Sequence, residues 1–257
     1  MYRLGTTSYI LPDDLAANVR FLAGRVQDVE LILFDLEGGP SNLPDAAAVD
    51  ELARLAEGHN LTYTVHLPLD LRLDGRGGFD HPSLLQARRV IECTWALRPW
   101  AYVAHLDRGG LPVFASPREQ ARWEDLAAQA LEQVAGWVGD PALLAVENLE
   151  GSPPEANLGV LERVPASLCI DIGHLWRDEY DAQSYLEAYL GRARVVHLHG
   201  VNERDHASLA HVQPEALRQA LAYLKANEAS IVLTIEVFNE MDLESSLTAL
   251  RHAEGEQ

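Results

Sequence analysis

Cysteine is nearly absent: the 257-residue chain holds two, Cys93 and Cys169, each inside an apolar stretch. Neither a disulfide framework nor a cysteine-rich zinc site can be assembled from them, and a reducing compartment is expected. Positive charge is also scarce. Twenty Lys and Arg face 39 Asp and Glu, a net charge of −19, so the long-range field repels polyanions and no nucleic-acid partner is expected. No apolar run approaches the ~20 residues that span a bilayer. The opening MYRLGTTSYI lacks the basic and then apolar layout of a secretory signal, so a cytoplasmic protein with no membrane contact is expected. What is present, 47 % hydrophobic and 23 % charged residues, suits one large globular domain over residues 1–257 and excludes disordered and collagen-like classes.

Short runs rich in β-branched and apolar residues alternate with longer segments of helical period: 3–10, 29–36, 61–68, 101–106, 143–149, 167–173, 194–200 and 231–238. Most are too continuously apolar for a half-solvated sheet, so parallel strands covered by helices are expected. Eight such units over about 250 residues are the size of a closed (β/α)8 TIM barrel, an α/β fold. Helix punctuation agrees. Pro12 and two acids open a segment closed by Gly24, and 44–58 repeats that logic. From Pro117 to Val138, Trp123, Leu126, Ala127, Ala130, Leu131 and Val134 recur at spacings of three and four, one stripe for a barrel wall. Segments 71–82 and 200–209 follow strands and read as βα loops. An open doubly wound sheet is the competing fold, but its glycine fingerprint follows none of the strands.

A barrel interior is packed with apolar side chains, and catalytic groups in such folds sit at the carboxyl ends of strands. Here His66 ends strand three, His105 strand four, Glu147 strand five, Asp171 and His174 strand six, and Glu236 strand eight, while His197 and His199 lie in strand seven and His206 in the loop beyond. Taken singly, each reads more readily as a hydrogen-bonded structural residue. Taken together, six of eight strands deliver an imidazole or carboxylate to one rim, and divalent cations are the simplest compensation for so many acids. Imidazole with carboxylate and no thiolate suits zinc, manganese or iron rather than calcium. Asp35 and Glu37 end strand two and read equally well as rim charges. Cys169 is expected to pack against helices. His59, His81, His211 and His252 are expected at the surface, Trp95, Trp100 and Trp137 in the core, and Trp176 is a candidate for the substrate mouth.

The segments TVHLP with His66, VAHLD with His105, VENLE with Glu147, CIDIGH with Asp171 and His174, VVHLHG with His197, DHASL with His206 and TIEVF with Glu236 carry a resemblance over essentially the whole chain. In this order they resemble the xylose isomerase-like barrels, which include endonuclease IV-type phosphodiesterases and sugar isomerases and epimerases. The isomerase branch implies one metal on Glu147, Asp171, His197 and Glu236. The endonuclease-like branch implies two or three: His66 and His105 with Glu147, Glu147 bridging to Asp171, His197 and Glu236, and His174 with His206 on a third.

So many imidazoles favour phosphodiester hydrolysis, with sugar isomerisation and a non-catalytic ligand-binding barrel as the alternatives. RLGTTSYI, SNLPD, LTYTVHLPLDL, VENLE and CIDIGHL together look like the cobamide-remodelling phosphodiesterases, which cleave the nucleotide-loop phosphodiester of a cobamide and free a cobinamide-type corrinoid. The resemblance implies Glu147 or Glu236 as the group that orients water or, in an isomerase, moves a proton to and from carbon. One departure is RDH, where Asp205 sits directly beside His206 and the endonuclease pattern has a residue between them. Asp205 and His199 are therefore further candidate contacts.

Overall fold

The computed structural model describes residues 2–35, 39–74, 76–111, 115–227 and 230–255. Strands β1 (Arg3–Thr7), β2 (Asp28–Ile32), β3 (Thr62–His66), β4 (Ala101–Ala104), β5 (Leu144–Glu147), β6 (Ser167–Asp171), β7 (Ala193–Leu198) and β8 (Val232–Ile235) pair in chain order, and β8 closes on β1. Every pairing is parallel. The expected barrel is present, with each strand shorter than its apolar run. The hydrogen-bonded ladder stops where the backbone turns into a βα loop, whereas the apolar pattern continues into the loop's buried first residues.

Helices α1 (Leu15–Leu22), α2 (Ala46–His59), α3 (Pro82–Thr94), α4 (Pro117–Val138), α5 (Leu158–Leu161), α6 (Ile172–Arg177), α7 (Ala182–Tyr189), α8 (Pro214–Ala226) and α9 (Glu240–Glu254) follow the strands. Local chemistry sets their ends. Ser116 and Glu119 form a reciprocal capping box around Pro117 at the start of α4, and Gly139, at φ +81°, ends it in the left-handed conformation that glycine adopts without strain. The α4 stripe buries Trp123, Ala127, Ala130, Leu131 and Val134. Leu126 departs from expectation at 39 % exposure, on the edge of the stripe. No described helix is long and apolar enough to cross a membrane.

Ladder register decides which residues enter the barrel, because neighbouring residues paired in a parallel sheet project to the same face. The pairs Thr7↔Glu30, Glu30↔Thr64, Ile32↔His66, His66↔Val103, Glu147↔Cys169, Asp171↔His197 and His197↔Thr234 define an inward series. Beneath the site its members form a small dry cluster of Ala101, Val103, Ala145, Cys169 and Val195. Cys169 thus lies inside the barrel and not against the helices, since it stands two residues before inward-facing Asp171. Residues of opposite parity, such as Val29, Leu31, Tyr63, Val146, Ile170 and Leu233, pack with the helices in the main core. Gly5 is also inward: a Cβ there would come within 3.1 Å of the Asp28 Cβ and carbonyl oxygen.

The tryptophans divide differently from expectation. Trp95 is 50 % exposed, and Trp137 and Trp100 are half-buried. Trp100 is the floor of the barrel, its Nε1 donating to the Arg194 carbonyl (3.0 Å) under the Arg194 guanidinium. Trp176 lines an outer groove with Tyr180, Leu186 and Ala220, so it is not a wall of the mouth: α6 turns its ring toward α7 and α8.

Candidate metal centre

Overlapping groups of ligating atoms adjoin at the carboxyl end of the barrel; beside Glu147–Cys169–His197 and Glu30–His66–Glu236, three are built from the expected imidazoles and carboxylates. His66, His105 and Glu147 form one, Glu147, Asp171, His197 and Glu236 a second, and His174, His199 and His206 a third; within each, the candidate atoms lie within 4.8 Å of one another. Glu147 joins the first two. Its Oε2 is 3.0 Å from His105 Nε2 and 3.6 Å from His66 Nε2, while its Oε1 is 3.4 Å from His197 Nδ1. The same Oε1 is 3.7 Å from His174 Nδ1, on the side of the third group. His197 Nδ1 also faces Glu236 Oε2 at 3.0 Å and Asp171 Oδ2 at 3.8 Å.

These spacings suit a cation. Ligands about 2.0–2.2 Å from one ion are roughly 3–3.6 Å from each other in tetrahedral or octahedral arrangements. A second observation comes from hydrogen bonding. Asp171 Oδ2, His197 Nδ1, Glu236 Oε2, His174 Nε2 and His199 Nε2 are all buried and face one another or nearby acids at ion-pair distances without a well-aligned hydrogen bond, a condition that a bound cation relieves. The donor chemistry, imidazole with carboxylate, fits zinc, manganese or iron.

Local structure explains the aim of each side chain. Asp171 accepts from the His174 N–H through Oδ1 (2.6 Å), capping α6 and leaving Oδ2 for the centre. The His174 ring lies 3.0 Å from the Asn148 carbonyl, and Asn148 itself exchanges two hydrogen bonds with the Asp171 backbone. Gly173 gives His199 room, because a Cβ there would overlap the imidazole. His206 adopts φ +52°, an uncommon left-handed conformation for a residue with a Cβ, in a loop tied by the Gly200–Ala207 bridge. Its Nε2 reaches to 3.4 Å from Glu236 Oε2.

Protons on the imidazoles balance the carboxylates in this arrangement. Burial works against a charged His105, yet the Glu147 and Asp70 carboxylates overcome it and push its pKa up to about 10. For His199 the same contest, with Asp171 as the principal acid, ends at about 9. Burial would raise Glu147 and Glu236, but His197 and His105 hold the first, and His197 and His206 the second, well below the usual carboxylate range. A divalent cation would take the place of these protons and release them on binding.

The structure therefore brings His66, His105, Glu147, Asp171, His174, His197, His206 and Glu236 together, with His199 inside the third group. Asp205 stands at its margin. It pairs with Arg177, and its carboxylate is 3.5 Å from His199 Nδ1 and 3.9 Å from His174 Nε2. Asp35 is away from the centre in an ion pair with Arg89 (2.7 Å), and Glu37 lies outside the described residues. His59, His81, His211 and His252 join none of these groups. Sequence reasoning missed Glu30, fully buried on β2, whose Oε2 accepts from His197 Nε2 at 2.9 Å. An acid at inward parity in an apolar strand was its available signal. Asp70, 3.1 Å from His105 Nδ1, and Glu150, 3.4 Å from His174 Nε2, were also missed. Both lie in loops, where no periodicity announces a contact.

Residues 26–253 match the family described as xylose isomerase-like TIM barrel. No curated protein matches the sequence. Among solved structures, a D-tagatose 3-epimerase-like protein is similar at 18 % identity and a TM-score of 0.74, covering 98 % of this chain and 97 % of that one. Endonuclease IV from Thermus thermophilus is similar at 17 % identity and 0.68, covering 98 % and 99 %. A 3-keto-D-glucoside 4-epimerase from E. coli is similar at 16 % and 0.66, covering 99 % and 100 %. At these identities the likeness establishes the fold alone.

Proposed function

The chain belongs to the xylose isomerase-like TIM barrel family, and on that premise we propose that it is a metal-dependent phosphodiesterase whose substrate is the nucleotide-loop phosphodiester of a cobamide. One observation carries the reading: Glu147 is shared by two of the imidazole–carboxylate groups and a group of three imidazoles adjoins them. A one-cation reaction employs four of these residues and leaves His66, His105, His174, His199 and His206 without a task. Divalent cations held by the three groups would supply Lewis-acid stabilisation of charge on the phosphoryl oxygens and a more acidic attacking water. The carboxylates do the positioning. Glu147 and Glu236 flank His197, where either can orient water and accept its proton. Asp70 and Glu30 fix the His105 and His197 rings from behind.

The substrate class follows from charge and from the strand-end segments that resemble the cobamide-remodelling enzymes. A chain of net charge −19 binds a single phosphodiester within a large, mostly uncharged molecule without needing the basic groove that a duplex requires. We take residues 1–257 as one catalytic domain acting on a small molecule in the cytoplasm.

A second reading, a single-metal sugar epimerase, is favoured by the comparisons. Two of the similar structures above are an epimerase and an epimerase-like protein by name, and two of the three carboxylates in the Glu147–Asp171–His197–Glu236 quartet, Glu147 and Glu236, can exchange a proton with carbon. Incubation of the purified protein with an intact cobamide and, separately, with ketohexoses decides between them. Release of a cobinamide-type product, with two or three metals per chain, supports hydrolysis. An epimer, with one metal, supports the second reading, and retention of intact ligand in every incubation would mean a binding barrel without turnover.

A further inference from the structure

The ionisable residues occupy an arc of the mouth, from His66 on β3 round to Glu236 beyond β8. β1 and β2, of which β2 reaches the centre only through Glu30 inside the barrel, carry a different feature in their loops. Between their loops lies a 550 Å³ cavity, within the ~300–1,000 Å³ of ordinary small-molecule sites. Tyr9, two residues beyond β1, and Phe34, two beyond β2, face it, with Leu15, Leu43 and Pro44 behind them. Tyr9 is 50 % exposed, a large ring that packing does not employ. Hydrogen bonds hold this wall in place. Asn42 accepts from the Phe34 N–H (2.7 Å) and donates to the Ile32 carbonyl (2.9 Å), and Ser8 Oγ accepts from the Ile32 N–H (2.9 Å).

The acids of this cavity, unlike those of the metal centre, have no imidazoles beside them in its lining. Asp13, Asp14, Asp45 and Glu51 line it, and no Lys, Arg or His among the described residues does. The two helix N-termini that point toward it, those of α1 and α2, are already capped by Asp14 and Asp45. An anionic group is therefore disfavoured, whereas a flat uncharged ring can lie against the Tyr9 and Phe34 side chains.

We infer that the cavity between the β1 and β2 loops binds the planar, uncharged nitrogen heterocycle of the substrate, stacked on Tyr9 and Phe34, while the phosphodiester lies over the metal centre. β1 and β2 stand between β8, which leads to Glu236, and β3, which carries His66, so the loops that line the cavity neighbour the segments that carry those two residues. The inference rests on the phosphodiesterase reading for the identity of the substrate and on the cavity alone for the binding of the ring.

The test uses the full chain and free ligands, without turnover. Benzimidazole and adenine are titrated by saturation-transfer NMR or calorimetry, with nicotinate as the anionic flat ring. Base–aromatic stacking accounts for roughly five- to 150-fold in affinity per base. Tyr9→Ala should accordingly weaken benzimidazole and adenine binding at least fivefold, Phe34→Ala similarly, and Glu147→Gln should leave it unchanged. Nicotinate should bind at least tenfold more weakly than benzimidazole. Unaltered affinity in Tyr9→Ala, or no binding of either base up to its solubility, overturns the inference. Should Phe34→Ala fail to fold, exposed Tyr9 decides alone. Cobamide cleavage that persists without a Tyr9-dependent base site refutes the cavity and spares the phosphodiesterase, while base binding without cleavage does the reverse.

Discussion

Replacing Glu30 by Gln removes one negative charge from behind the metal centre and almost no volume. Glu30 and His197 are both fully buried, and the 2.9 Å hydrogen bond from His197 Nε2 to Glu30 Oε2 leaves Nδ1 directed at Glu147, Asp171 and Glu236. A carboxylate in that position fixes the tautomer and raises the basicity of the ligating nitrogen, and loss of such a partner typically lowers metal affinity roughly 10–100-fold. The expected weakening is about 1.4–2.7 kcal/mol, measured by competition with a fluorescent chelator. On a His197→Ala background the Glu30 substitution should change affinity no further. An affinity within threefold of the parent, or an equal loss on the His197→Ala background, would refute the coupling through this imidazole.

Three more outcomes follow from the same geometry. Glu147→Gln should lower bound metal by more than Asp171→Asn does, counted by elemental analysis, because Glu147 belongs to two of these ligand groups and Asp171 to one; equal losses would argue against a bridging role. Exhaustive chelation should abolish turnover, and calorimetry in buffers of different ionisation enthalpy should show protons released on metal rebinding, with affinity rising with pH as the imidazoles give up their protons; full turnover after chelation would contradict the site. Asp28, raised by burial from 3.8 to about 7, keeps its proton in the folded state over a range where the unfolded chain has lost it. It therefore subtracts stability progressively between pH ~4 and ~7, on the order of 4 kcal/mol at most, and Asp28→Asn should raise the melting temperature more at pH 8 than at pH 5. An equal shift at both would show that Asp28 does not titrate this way.

Much of this protein is legible residue by residue. The alternation of apolar runs with helical stripes, the caps at Asp14, Asp45 and Ser116, and an ionisable residue at the end of most strands are local features. Strand and helix periodicity are set by backbone geometry within a few residues, so their number and order survive without knowledge of the rest of the chain. The directions of side chains within a strand are equally local. The two-residue spacing of Cys169 from Asp171 is enough to turn its thiol into the barrel, whatever its apolar neighbours suggest.

Closure of the barrel decided the remainder. Glu147 lies between His105, 42 residues earlier in the chain, and His197, in a strand two further on, because β4, β5 and β7 meet around one axis with a register that no single strand encodes. Glu30 meets His197 across the barrel at a sequence separation of 167, and loop residue Asp70 reaches His105 through the Leu71–Leu106 bridge. Such contacts depend on the shear of eight ladders taken together. A linear sequence therefore specifies which ligating side chains reach the rim, and only the closed sheet determines which of them share a cation.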